Sequence, residues 1–292
     1  MNHPSLHQSL QKLRLSGLAT TLDLRLQEAR GNNLTHEEFL ELLLQDELNV
    51  RHQRMISRRS KAAAFREKRT LDSFDFSFNP SINRAQIYQL ATGRFTENAE
   101  DVLFIGPPGV GKSHLAQAIG YELIKSGKSV LYRSIFDLLE DLRNDGYEAA
   151  HQRAMTRYLK CDLLIIDDMG IKQLPPKSGE YLFEIIMRRY ELRSTLMTSN
   201  RPLEEWGKLI GDVPAATAIL DRFLHHANIF KIKGRSYRLQ NRIDNSSDEP
   251  GGAHCRPPDP PARETKERKQ NNQTLDESSK PPEITPPQSG AL

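Results

Sequence analysis

Lys112 and Ser113 close the run Gly106-Pro-Pro-Gly-Val-Gly-Lys-Ser113, which satisfies G-x-x-x-x-G-K-[ST] at every fixed position. Residue types in this order suit the holding of a polyphosphate. Glycines let several backbone N–H groups converge on phosphate oxygens where side chains would block the approach. The lysine brings a positive charge to the β- and γ-phosphates, and the hydroxyl offers a hard oxygen to Mg2+. Gly106, Pro107, Pro108, Gly109, Val110, Gly111, Lys112 and Ser113, with His114 beside them, are therefore the predicted nucleotide-binding loop, and ATP and Mg2+ the expected cofactors.

A second constellation follows about 55 residues later, where the apolar run Leu163-Leu-Ile-Ile166 ends in Asp167 and Asp168. Two carboxylates at the end of a buried strand suit a metal and a water: Asp167 is assigned the magnesium ion through water, and Asp168 the attacking water. Asn200, ending another apolar run, is placed to hold the same water, although a turn before Pro202 also explains it. Arg222 lies on the polar side of the amphipathic run Ala218–His226, where it could reach a neighbouring subunit's γ-phosphate. His225 and His226 have no ligand spacing or partner cysteines that would make a zinc site.

The positioning elements are legible around these residues. Asp101–Ile105 reads as a strand and His114–Ile124 as a helix, so the loop has its required strand-loop-helix setting. Further strands are predicted at Ser129–Ser134, Asp162–Asp167, Ser194–Asn200 and Asn228–Lys233, with helices between them. That alternation predicts an α/β fold with a parallel sheet flanked by helices, and active residues at the strands' C-terminal ends.

Ahead of the sheet, three leucine-rich helices are predicted, with Leu6, Leu10 and Leu13, then Leu18, Leu22, Leu26 and Ala29, then Phe39, Leu43, Leu44, Leu48 and Val50 inward. Thr35-His-Glu-Glu38 is a capping box for the third. That helix is expected to run on through Arg51, Arg54, Arg58, Arg59, Lys61, Arg66, Lys68 and Arg69, against which stands the single acid Glu67. Such a run is an electrostatic footprint for a phosphate backbone, with a solvated face as the plainer alternative. Phe74, Phe76 and Phe78 share one side of an extended linker and are expected to dock on the following domain's core rather than stack on bases. The predicted organisation is a helical N-terminal domain at 1–69, a linker at 70–82, an ATPase domain at 83–244 and a disordered tail at 245–292.

Composition sets the outer bounds. Residues 1–244 hold 35 of the 41 basic and 30 of the 38 acidic side chains, whereas nine of the 17 prolines lie from Asn245 onward, with no aromatic residue. That tail cannot bury enough surface to offset its ordering entropy. Two distant cysteines, Cys161 and Cys255, exclude a disulfide scaffold, and no apolar run nears membrane-spanning length, so a cytoplasmic protein is expected.

With these residues quoted, the chain from about Leu13 to Leu239 resembles the IstB-like transposition helper ATPases, relatives of the DnaC-type helicase loaders in the AAA+ class. The likeness is carried by Glu37-Glu-Phe-Leu-Glu-Leu-Leu43, Phe74-Asp-Phe-Ser-Phe78, the phosphate loop, Leu163–Gly170, Arg193–Asn200 and Ile210-Gly-Asp with Ala218–Arg222. It implies Walker A at Gly106–Ser113, Walker B at Asp167 and Asp168, sensor 1 at Asn200 and an arginine finger at Arg222 acting in trans. It further implies a ring or spiral of subunits that bind duplex DNA and assist a partner transposase. A helicase loader on single-stranded DNA, or an assembly switch with negligible turnover, are the competing readings. Two departures stand out: Asp168 where many relatives of the wider class carry Glu, which favours slow hydrolysis, and no helical lid after Lys233. Arg235 and Arg238 are the sensor-2 candidates.

Overall fold

The computed structural model describes residues 4–143 and 148–238. Three helices open the chain: α1 (Pro4–Lys12), α2 (Ser16–Asn32) and α3 (His36–Ala63). α3 starts where its cap dictates, the Thr35 hydroxyl accepting from the Glu38 amide while the Glu38 carboxylate accepts from the Thr35 amide.

The inward faces differ from those read in the leucine pattern. Leu10, Leu18, Leu22 and Leu43 form the small core, with Leu26 and Phe39 against it, whereas Leu6, Leu13, Leu44 and Leu48 are exposed. A buried carboxylate sets the rotation. α2 begins without a side-chain cap, and Glu47 Oε2 accepts its free amides from Gly17 (2.6 Å) and Leu18 (3.2 Å). Gly17 allows this approach, since a Cβ there would stand 2.7 Å from Glu47 Cα. The stripe facing α2 is therefore Phe39, Leu43 and Glu47, and Leu44 and Leu48 are turned about 100° away.

α3 also ends sooner than expected. Ala64 adopts the left-handed conformation (φ 56°) and stops the helix, so Arg66, Lys68 and Arg69 lie on an irregular segment. That segment crosses onto the rest of the molecule, with Ala63 fully buried and Phe65 packed on the main core. Phe74 and Phe76 also pack there, as expected, whereas Phe78 meets the Tyr237 ring edge-on at 5.0 Å.

The short helices α4 (Arg84–Ala91) and α5 (Arg94–Glu97) lead into β1 (Asp101–Ile105). Then follow α6 (Lys112–Lys125), β2 (Val130–Ser134), α7 (Ile135–Arg143), α8 (Glu148–Lys160), β3 (Leu163–Met169), α9 (Ser178–Arg189) and β4 (Ser194–Ser199). A 3-10 turn, α10 (Trp206–Ile210), α11 (Val213–His225) and β5 (Ala227–Lys231) complete the described chain. All strand pairings are parallel, in the order β2-β3-β4-β1-β5. Near-continuous apolar strands need cover on both faces. One face carries Leu138, Leu182, Ile185 and Phe223, and the other Ile87, Leu115, Ile119 and Leu123. The predicted tail from Asn245 falls outside the described residues. No described helix is long and apolar enough to cross a membrane.

Candidate nucleotide-binding site

β1 and β4 end side by side, Ile105 opposite Ser199, and β2 ends at Ser134 opposite Asp167 of β3, which runs on to Met169. Their C-terminal ends open into a cleft of about 1180 Å³ lined by Pro108–His114, Asp168, Asn200 and Arg238.

The loop's glycines are required by its shape. Gly109 and Gly111 have φ of 83° and 100°, and a Cβ on Gly111 would meet the Phe74 ring at 2.6 Å. Lys112 Nζ donates to the carbonyls of Gly106 and Pro107, both at 2.8 Å. Burial pushes its pKa down to about 8, against the pull of Asp167 and Asp168. His114 is turned outward from the loop to the linker: its Nε2 pairs with the Thr70 carbonyl (3.1 Å), and its ring meets Phe74 edge-on.

The two aspartates owe their placement to an irregularity in the sheet. Ile166 pairs with Met197, but Met169 pairs with Ser199, so β3 advances three residues while β4 advances two. The bulge accommodates Asp167 and Asp168. Asp167 is fully buried and accepts from Ser113 Oγ (2.9 Å), Tyr132 Oη (2.5 Å) and Thr198 Oγ1. Asp168 is held at φ 66°, with its amide donating to the same Thr198 oxygen at 3.2 Å. A non-glycine residue in that region is strained, which is common where geometry serves a site. Burial and then Asp167 push the Asp168 pKa up, while Arg66 opposes them. Arg66 Nη1 donates to Asp168 Oδ2 at 2.8 Å.

Other sequence-predicted residues are dispersed. Asn200 lines the cleft, its backbone amide donating to the Met169 carbonyl at 2.9 Å. Of the sensor-2 candidates, Arg238 lines the cleft and Arg235 does not; the Tyr237 amide beside Arg238 donates to the Gly109 carbonyl at 3.0 Å. Arg222 is exposed on α11, paired with Asp221 and over the Tyr190 ring, outside this cleft.

In the basic segment, Arg51 pairs with Glu47, Arg54 donates to Ser16 Oγ, Arg69 pairs with Glu67, and Lys68 lies over the Tyr121 ring. Arg58 and Lys61 are exposed, whereas Arg59 Nη1 is buried with no partner among the described residues. His225 and His226 come together with Glu191 in an exposed cluster, His226 bonded to Glu191 and His225 to the Tyr190 hydroxyl. Patterning alone does not single out Tyr132 for this site. Thr198 had a usable signal, since it lies two residues before Asn200 and strand alternation puts both on one face.

Loop, helix and paired carboxylates at the ends of parallel strands define a P-loop nucleoside-triphosphate-binding protein. Residues 8–245 match the profile of the IstB-like ATP binding protein family, and the chain belongs to that family of ATP-binding proteins. It is 38% identical over 237 residues to an ATP-binding protein of insertion sequence IS5376 from Geobacillus stearothermophilus, covering 81% of this chain and 94% of that one. It is also 38% identical over 233 residues to an ATP-binding protein of insertion sequence IS21 from Pseudomonas aeruginosa, covering 80% and 88%. Among solved structures it is similar to the DnaC helicase loader, at 26% identity and a TM-score of 0.47, over 60% of this chain and 99% of that one.

Proposed function

We propose that this chain hydrolyses ATP while assembling with copies of itself on duplex DNA, and that it serves a transposase of the same insertion sequence. The observation that carries this reading is the continuity of the basic segment with the cleft. Phe65 packs on α6 at Gly120, the Glu67 amide donates to Gln117 Oε1 at 3.3 Å, and Arg69 lines the cleft itself. A phosphate backbone on that segment would thus lie against the walls of the nucleotide site. The relatives' origin in insertion sequences supports the transposase as partner.

The residues fit a bound Mg2+, because Ser113 Oγ and Asp167 Oδ1 are two hard oxygens 2.9 Å apart at the loop's end. Bound there, the ion would neutralise charge on the β- and γ-phosphates. Ser113 would hold it directly and Asp167 through water. Lys112 would leave the Gly106 and Pro107 carbonyls for the phosphates, an exchange between charge-assisted partners. Asp168 and Asn200 would orient the attacking water, and Arg238 would face the γ-phosphate in cis. Arg222 would complete a neighbour's site in trans, consistent with its position outside its own cleft.

A mixing experiment tests this. Asp168→Asn and Arg222→Ala proteins should each hydrolyse ATP poorly with duplex present, and an equimolar mixture should recover turnover as intact sites meet intact arginines across shared interfaces. Recovery of nothing would remove the trans arginine, and unimpaired hydrolysis by Asp168→Asn would remove the assigned water.

A further inference from the structure

Arg66 is the point at which the basic segment touches the hydrolytic carboxylate, joining residues 102 apart in sequence. We propose that Arg66 is a positioning residue that latches Asp168 until the phosphates of bound duplex draw its guanidinium away, so that hydrolysis waits for DNA. This rests on the duplex-binding reading above.

The backbone around Arg66 is fixed on both sides. Phe65 lies 6.1 Å from the Tyr132 ring and against Gly120, and the Glu67 amide is held by Gln117, whose own amide group donates to the Ser113 carbonyl at 3.1 Å. Release therefore asks only for a side-chain swing. The pair itself is built to exchange: the Arg66 side chain is 52% exposed and makes one contact, to an Asp168 side chain only 19% exposed. Exposed ion pairs hold weakly, and a guanidinium meets a phosphate in a two-pronged geometry stronger than a single contact to one carboxylate oxygen. Lys61, Lys68 and Arg69 are exposed on the same stretch, so a phosphate backbone approaching Arg66 finds other cations beside it.

Asp168 is what the latch controls. Its position is set by the β-bulge and the Thr198 hydrogen bond, both independent of Arg66. With the guanidinium on Oδ2, one of that oxygen's acceptor sites is taken and the carboxylate's orientation is tied to Arg66. Release frees that site and lets the carboxylate turn to accept from a water. The swing thus converts an occupied acceptor into a competent one, without moving the loop.

The test compares wild type, Arg66→Gln and Arg66→Lys as full chains, measuring ATP turnover with and without duplex, and duplex affinity from the anisotropy of a labelled duplex. Arg66→Gln should raise kcat without duplex roughly fivefold, the ceiling an exposed ion pair sets, leave KM for ATP unchanged and respond little to added duplex. Arg66→Lys keeps the charge and should stay near wild type. Duplex affinity of Arg66→Gln should fall modestly, its salt slope dropping by about one. A kcat without duplex at or below wild type overturns the latch, as does undiminished stimulation of Arg66→Gln by duplex or the absence of any turnover to restrain. A wild type that binds no duplex removes the basic-segment reading and the release step with it, whereas a raised basal kcat in Arg66→Gln would still support the restraint on Asp168.

Discussion

Glu47 and Asp167 are both buried carboxylates, and the groups that satisfy them differ in kind. Glu47 Oε2 takes the main-chain amides at the start of α2, while its Oε1 takes the exposed Arg51 side chain. Asp167 takes three hydroxyls, from Ser113, Tyr132 and Thr198. Amides fixed in a helix hold their acceptor permanently, so Glu47 is a structural strut. Hydroxyls can rotate, so Asp167 can turn an oxygen to a cation's bound water while staying anchored by its other partners. Burial of a charge alone therefore does not mark a functional site; the exchangeability of its partners does.

The contrast breaks most sharply on activity. Asp167→Asn should lower ATP turnover at least about a hundredfold, the scale of losing a group that organises transition-state charge, while circular dichroism shows an intact fold. A merely structural Asp167 would instead unfold the chain before its turnover fell.

A third buried carboxylate sharpens the comparison through pH. Asp101 Oδ1 accepts from the Thr195 amide at 2.6 Å, yet burial pushes its pKa up to about 7. A carboxylic acid raised in the folded state contributes stability in full below its unfolded value, near 4. That contribution is lost as pH rises from there through about 7. Thermal melts should therefore show stability declining across that window by on the order of 4 kcal/mol, and Asp101→Asn should flatten the decline. Glu47 behaves oppositely: burial pushes its pKa up, but hydrogen bonds from Arg51, Leu18 and Gly17 outweigh this and hold it below the usual carboxylate range.

Glu47→Ala should cost about 2 kcal/mol in urea unfolding, because two amides lose their acceptor, and should leave turnover per folded molecule unchanged. Leu44→Ala, one residue's rotation short of the core on the same helix, should cost under about 0.5 kcal/mol. Equal costs for the two would mean that the face of α3 has been assigned wrongly.

These examples also explain what could be read from residues alone. The phosphate loop, the five strands and the Thr35 cap were legible because each depends on neighbours a few residues away: a glycine turn, an apolar run, a hydroxyl three positions before a glutamate. The face of α3 was not, because it answers to unsatisfied amides on α2, about 30 residues distant. The early end of α3 hangs on Ala64, a residue with no intrinsic preference for a left-handed stop. Nor does any pattern connect Arg66 to Asp168, or Tyr132 to Asp167, since only sheet register and bulge bring them together.

The central claim is that ATP in the Gly106–Ser113 loop drives assembly on duplex DNA. The direct measurement is the mass of the full chain in solution with duplex present, with and without a nonhydrolysable ATP analogue, for wild type and Lys112→Ala. Wild type should form multi-subunit complexes on duplex only with the analogue, dispersing as salt rises, and Lys112→Ala should stay dispersed throughout. A wild-type chain that remains a single subunit with analogue and duplex both in excess would contradict the account.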